Sequence, residues 1–163
     1  MDEGLWLDGL VDWLDRFPWQ WFVTLTFRPG FTPAQARWRL LRWAEELRDS
    51  LGTGDFQWVG VPENGTTGLN FHYHVLVAGL DAEVGAAERL EWMRRWYKLA
   101  GDAQIEDFKP DSGGVRYVLK HVGPRDFDAI QFHLASRAGA VPGEMKNEKD
   151  QGQQEHLSKG AKV

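Results

Sequence analysis

Cysteine is absent from the 163-residue chain, which excludes disulfide bonds and thiolate metal ligands. Long apolar runs are also missing, since none approaches the ~18 residues that a membrane-spanning helix needs. The first four residues, MDEG, lack the basic start of a secretion signal. We therefore expect a soluble, cytoplasmic protein with no membrane partner. No phosphate-binding loop of the form G-x-x-x-x-G-K-S/T occurs, so the sequence shows no nucleotide-driven motor.

Positive charge is scarce as well, and the formal net charge is −5 at pH 7. Non-specific binding to duplex DNA depends on neutralising phosphates, so this balance argues against a general duplex binder. The charges are unevenly placed, because acidic residues crowd positions 2–15 and arginines follow between positions 28 and 48. A local basic groove is compatible with that distribution. The nine tryptophans and the 42% apolar content are typical of one folded domain.

Apolar periodicity predicts four helices and four strands. Thr32 and Gln35 form a capping-box pattern around Pro33, which predicts where the second helix begins. An Asn-Gly pair at 64–65 predicts a turn that makes the second and third strands antiparallel neighbours. Residues 129–135 fit either a strand or a helix. The predicted helices are 4–17, 33–50, 82–100 and 115–122, and the predicted strands are 21–27, 56–63, 71–78 and 103–109.

From position 21 onward the predicted elements run strand, helix, strand, strand, helix, strand. This order is the split β-α-β pattern of ferredoxin-like and RRM-like folds, so we predict an α+β fold with an antiparallel sheet. Two helices should cover one face and leave the other open for a site and the last helix. The predicted organisation is an amphipathic helix at 1–20, a folded domain at 21–135 and a mobile polar tail at 136–163.

Two histidines stand two residues apart in the third strand, within the stretch NFHYHVLVAG. Side chains alternate along a strand, so His72 and His74 share one face while Tyr73 and Val75 occupy the other. Glu63 ends the neighbouring strand and should lie nearly opposite His72. Two imidazoles and a carboxylate make a metal-ligand set with positions left for substrate and water. The alternative is two half-exposed histidines beside an ordinary charge at a strand end.

The helix VRYVLKHV provides a second candidate element. Tyr117 and Lys120 are three positions apart and share a face outside its apolar stripe. Of the three tyrosines, Tyr73 should point away from the histidines, and Tyr97 falls on the apolar stripe of the 82–100 helix. Only Tyr117 is then left to reach the site. The alternative for Lys120 is a solvated helix lysine.

Three segments of the chain resemble the motifs of the HUH endonucleases, and among them those of single-tyrosine rolling-circle replication initiators. The first motif resembles residues 22–27 (FVTLTF), the second matches His72-Tyr73-His74, and the third matches residues 117–120 (YVLK). Relaxases of this superfamily place the tyrosine before the histidines, and its transposases usually take the third metal ligand from the tyrosine helix. Histidines first, with Glu63 on the preceding strand, therefore resembles an initiator.

The resemblance implies sequence-specific nicking and rejoining of single-stranded DNA at an origin or stem-loop. Glu63, His72 and His74 would hold Mg²⁺ or Mn²⁺, and Tyr117 would form a 5′-phosphotyrosyl intermediate. Lys120 would stabilise the phenolate or fix the activated water. Because the sequence shows no helicase domain, unwinding and copying would require a host helicase and polymerase. A protein of this kind from a eukaryotic virus would be nuclear rather than cytoplasmic.

Substrate binding needs cations for phosphates and flat surfaces for bases. Arg28, next to the first motif, and Arg116, next to Tyr117, are the candidate phosphate contacts, while Trp19 and Trp58 are candidate stacking surfaces. Three alternative functions stay open: an HUH transposase, a noncatalytic single-stranded nucleic-acid-binding module, and a metal hydrolase of small substrates. The binding module would form no adduct, and the hydrolase would tolerate loss of Tyr117.

Overall fold

The computed structural model describes residues 3–64 and 71–134, and these residues form a sheet with helices on both faces. Within them, no helix is long and apolar enough to cross a membrane. The predicted tail, 136–163, lies outside the described residues. The elements in chain order are α1 (Glu3–Leu14), β1 (Trp21–Thr26), α2 (Pro33–Leu51), β2 (Gly52–Asn64), β3 (Phe71–Leu80), α3 (Ala86–Leu99), β4 (Ala103–Asp107), α4 (Gly114–Leu119) and β5 (Gln131–His133).

The five strands form one sheet in the order β4-β1-β3-β2-β5, and every neighbouring pair is antiparallel. The order of the first four strands confirms the predicted α+β fold. β5 adds an edge strand beyond the pattern, and a short 3₁₀ helix at Phe127–Ala129 precedes it, so the undecided segment contains both kinds of structure. The long β2–β3 hairpin positions the site, because its register places Glu63 opposite His72.

One face of the sheet, here called the helix face, packs against α2 and α3. Alternate strand residues such as Val23, Val75 and Val77 are fully buried there. The predicted capping box at the start of α2 is present, since the Thr32 hydroxyl accepts from the Gln35 amide N–H and the Gln35 side chain accepts from that of Thr32. This face holds most of the large aromatic core and provides a rigid support for the strands.

The opposite face, here called the site face, is not left open as predicted. A second apolar cluster covers part of it, formed by α1, α4 and the apolar residues of β2 and β3 that point this way. Leu14 of α1 and Leu119 of α4 are almost fully buried in this cluster, together with Leu76 of β3. The amphipathic stripe of α1 requires an apolar partner, and this half of the sheet provides it. Only the part around the histidines and β1 stays accessible.

The prediction for α3 is wrong in detail. Its buried residues are Trp92 and Trp96, whereas Tyr97 is 63% exposed and Leu90 is also exposed. The two tryptophans are four residues apart and so lie on one side of the helix, and burying them removes the largest apolar surfaces from water. Tyr97 was therefore excluded as a site residue for the wrong reason. It is accessible, but it lies on the helix that covers the helix face.

Candidate functional site

Glu63, His72 and His74 converge at the end of the β2–β3 hairpin on the site face. Nε2 of His74 lies 2.8 Å from Oε2 of Glu63, and Nε2 of His72 lies 3.3 Å from the same oxygen. The two Nε2 atoms are 3.3 Å apart. One potential ligand atom from each residue lies within 4.8 Å of the others, so the three side chains can hold a metal ion together.

The environment favours the protonation states that bind a metal. Burial lowers the pKa of His74, which is only 4% exposed, and the neighbouring His72 lowers it further, although Glu63 partly offsets both effects. Burial would raise the pKa of Glu63, but hydrogen bonds from His74 and Lys120 and their charges outweigh it and leave that pKa lowered. At neutral pH His74 therefore offers a lone pair and Glu63 a carboxylate, which are the forms that ligate metals.

Thr24 of β1 is a site residue that sequence reasoning missed. The strand register places it directly beside His74, and its Oγ1 lies 3.2 Å from Nδ1 of the imidazole. When Nε2 of His74 faces a metal, Nδ1 carries the proton and donates it to Thr24. Such a contact fixes the tautomer and the orientation of a metal-ligating histidine. Thr24 lies inside the first motif, but its contact depends on the pairing of β1 with β3.

Tyr117 reaches the site from α4. Its ring centroid lies 5.4 Å from that of His74 and 6.0 Å from that of Phe22, and the residue is 50% exposed. Gly113, with a φ of 72°, turns the chain into α4 through a left-handed conformation that favours glycine. A side chain at Gly114 would place its Cβ 2.8 Å from Cε2 of Phe108, so glycine allows this close packing. The predicted Gly-Gly start thus sets the position of the tyrosine helix.

Lys120 bridges the tyrosine and the carboxylate. Its Nζ lies 3.4 Å from Oε1 of Glu63 and 4.0 Å from the centroid of the Tyr117 ring. Partial desolvation would lower the pKa of Lys120, but hydrogen bonds to Tyr117 and Glu63 outweigh it and raise that pKa. The ammonium therefore stays charged beside the phenol at neutral pH.

His121 is a second residue that the sequence did not single out. Its Nε2 lies 3.5 Å from Oε1 of Glu63, while its side chain is 68% exposed. It directly follows Lys120, at the end of α4, and so arrives at the carboxylate from the same element. Its position next to the third motif was the available signal. A third imidazole beside Glu63 adds a titratable group at the solvent side of the cluster.

The two predicted phosphate-contact arginines lie apart from each other. Arg28 donates a hydrogen bond to the backbone oxygen of Tyr97 and lies over that residue's ring, on the side of α3. Arg116 forms an ion pair of 2.6 Å with Asp8 of α1, and both side chains are more than half exposed. Each arginine thus has an intramolecular partner. Arg116 remains on the tyrosine helix, whereas Arg28 is directed to the helix layer.

The two predicted stacking tryptophans are buried, so neither offers an exposed ring. Trp19 is 6% exposed within the site-face cluster, and its Nε1 donates a 2.8 Å hydrogen bond to the backbone oxygen of Leu14. Trp58 is 5% exposed and belongs to the core of the helix face. Both predictions fail for the same reason, because a tryptophan next to or within a strand gains more from core packing than from exposure.

Comparison with known proteins gives one family. A search of curated proteins found no significant match, and a search of solved structures found none either. The family model described as a replication-associated protein of the ORF2 type matches residues 20–125, which hold the first four strands, the metal-ligand cluster and the tyrosine helix. This match spans well over half of the 163 residues and confirms the predicted likeness to Rep-type initiators of rolling-circle replication. The chain therefore belongs to this family of replication-associated proteins.

Proposed function

We propose that this protein nicks and rejoins single-stranded DNA to start rolling-circle replication, with Tyr117 as the nucleophile. The observation that carries the proposal is the meeting of an accessible phenol, a lysine ammonium and a Glu-His-His cluster on one face of the sheet. Membership of a replication-associated family supports a role in initiation. A noncatalytic binding module would need neither the metal-ligand cluster nor the tyrosine beside it.

The donor set fits a divalent cation, because it combines two neutral imidazoles with one carboxylate and leaves positions for phosphate and water. Mg²⁺ or Mn²⁺ suits a site that must accept phosphate oxygens and water. A cation bound there supplies a Lewis acid that polarises a phosphate oxygen and offsets negative charge in the transition state. The sheet register supplies the positioning, since β2 and β3 hold the carboxylate and the imidazoles at fixed separations.

Tyr117 forms the covalent bond. Its phenolic oxygen loses its proton and attacks the phosphorus, the bond to the 3′-oxygen breaks, and the departing strand ends in a 3′-hydroxyl. The 5′-phosphotyrosyl ester keeps the energy of the original bond, so a 3′-hydroxyl can reverse the step and rejoin the strand. Lys120 stabilises the phenolate, because its charged Nζ lies beside the phenol ring. Unwinding and copying of the DNA fall to partner proteins, a helicase and a polymerase.

The test is covalent capture. The wild-type protein and its Tyr117→Phe variant are incubated with a randomised single-stranded oligonucleotide pool and Mn²⁺, and the products are separated on a denaturing gel. We expect a protein–DNA adduct from the wild type, none from Tyr117→Phe and none with excess EDTA. Tyr97→Phe is the matched control, since it removes a similarly exposed phenol hydroxyl from the far side of the sheet. An adduct in Tyr117→Phe, or one that survives chelation, would falsify the proposal.

A further inference from the structure

A cavity of about 590 Å³ adjoins the candidate site between β4 and α4. Tyr117 and His74 lie at one side of it, and the aromatic rings of Phe22 and Phe108 line it as well. Its polar lining includes the side chains of Gln104, Glu106 and Lys109. The cleavage step proposed above uses none of these three polar residues, so their presence next to the nucleophile requires another explanation.

The sheet register explains how the cavity meets the site. Gln104 pairs with Thr24, which in turn pairs with His74, so these three residues form one row across β4, β1 and β3. Glu106 pairs with Phe22 in the next row and shares its face. Because β4 is an edge strand of the sheet, the cavity can be entered from that side. A molecule in it would lie within one or two residues of the tyrosine and the metal ligands.

The chemistry of the lining selects the class of ligand. A carboxylate at Glu106 only accepts hydrogen bonds, so it disfavours a phosphate and favours a group that presents N–H donors. Phe22 and Phe108 give apolar surfaces against which a nucleobase can pack, and the cavity has the size of sites that hold small ligands. Within the described part of the chain, no hydrogen bond or ion pair engages the side chain of Glu106 or Gln104. Both are therefore available to a ligand.

The neighbouring acid is engaged elsewhere. Asp107 pairs with Trp21, a helix-face residue, and its carboxylate forms an ion pair of 2.5 Å with Arg89 of α3. Glu106 is therefore the carboxylate of β4 that faces the cavity. Lys109, at the end of the strand, adds a cation beside the same space and can meet the phosphate of a nucleotide whose base is inside.

We propose that this cavity binds one nucleobase of the DNA strand and prefers a base with an exocyclic amino group over thymine or uracil. Glu106 accepts the hydrogen bond from the amino group, Gln104 contacts the rest of the base edge, and Phe22 and Phe108 pack against the ring. The placement of this base next to the bond that Tyr117 cleaves rests on the proposed function. The base preference does not, because it is a property of binding alone.

The first experiment measures binding without cleavage. Fluorescence anisotropy in EDTA gives the Kd of labelled ten-nucleotide oligomers of deoxycytidine and deoxyuridine, whose bases differ at the amino position. We expect the wild type to bind the cytosine oligomer about fivefold or more tightly, since one good contact to a base edge gives roughly 1–3 kcal/mol of discrimination. Glu106→Ala should reduce that ratio to near one. Equal binding by the wild type, or an unchanged ratio in the variant, overturns the proposal.

A matched control separates base recognition from charge. Glu45→Ala removes the same charge from an exposed position on α2, so it should leave the cytosine preference unchanged. Loss of the preference in Glu45→Ala as well would attribute it to general electrostatics and overturn the proposal.

The second experiment locates the base. The randomised pool is captured covalently by the wild type and by Glu106→Ala, and the attached and released strands are sequenced. We expect thymine to be excluded at one position next to the cleaved bond with the wild type and accepted there with the variant. The same sequence preference in both proteins overturns the inference and leaves the nickase in place. No adduct from the wild type overturns the nickase, whereas the binding ratio in EDTA still decides the base preference.

Discussion

The two faces of the sheet differ in what the same strands contribute to them. On the helix face, Val23, Leu25 and Val75 are fully buried against α2 and α3. On the site face, the intervening residues include Thr24 and His74, whose polar atoms contact each other. Alternation along a strand therefore lets consecutive residues perform unrelated tasks. One face carries much of the stability, and the other can carry chemistry at little cost to the fold.

Substitutions on β3 should separate these tasks most clearly. His72→Ala removes one candidate ligand on the site face, so we expect metal-dependent adduct formation to be lost. Its free energy of unfolding, measured with denaturant in EDTA, should change by less than about 1 kcal/mol. Val75→Ala leaves a cavity in the helix face and should cost roughly 1–3 kcal/mol, while the folded fraction still forms the adduct. The reverse pattern, with His72→Ala unstable but active, would contradict the division between the faces.

Thr24→Val tests whether β1 orients the metal-binding imidazole. The variant keeps the shape of the side chain and removes the oxygen next to Nδ1 of His74. We expect the affinity for Mn²⁺, measured by calorimetry on the intact protein, to fall roughly 10–100-fold. Thr24→Ser keeps the oxygen and serves as the control, with an affinity close to that of the wild type. Equal affinities in Thr24→Val and Thr24→Ser would remove Thr24 from the site.

Trp19→Phe should give the smallest effect and tests whether the apolar part of the site face serves packing alone. The variant keeps an aromatic ring and loses the hydrogen bond from Nε1 to the oxygen of Leu14. We expect a loss of roughly 0.5–1.5 kcal/mol in the free energy of unfolding. The affinity for single-stranded DNA should stay unchanged, because the ring is buried. Weaker DNA binding at unchanged stability would restore Trp19 as a stacking residue.

Period-two alternation was sufficient to predict the strand order and the shared face of His72 and His74. Pairing across one hairpin was sufficient to place Glu63 opposite His72. The covered part of the site face was missed, although the continuous apolar runs at 56–61 and 75–78 are typical of strands that are buried on both sides. Those runs indicated that α1 would pack onto the sheet instead of forming a separate unit.

The residues that were missed depend on pairings between distant segments. Thr24 contacts His74 because β1 pairs with β3, and no local pattern fixes the register of strands so far apart in the chain. His121 reaches Glu63 only because α4 folds back over the hairpin. The same limit explains Trp19 and Trp58, since a tryptophan has the same local signal in a core as on a binding surface.

The packing of α4 against α1 gives the two halves of the candidate site unequal robustness. The metal ligands belong to paired strands in the middle of the sheet, whereas Tyr117 is carried by a helix of six residues. So short a helix has little stability of its own and depends on its packing with α1 and the sheet. Local unfolding that starts at α1 therefore displaces the nucleophile before it disturbs the ligands. The protein then passes through a form that binds metal but cannot cut, so a weakened α1 acts as a safety catch on DNA cleavage.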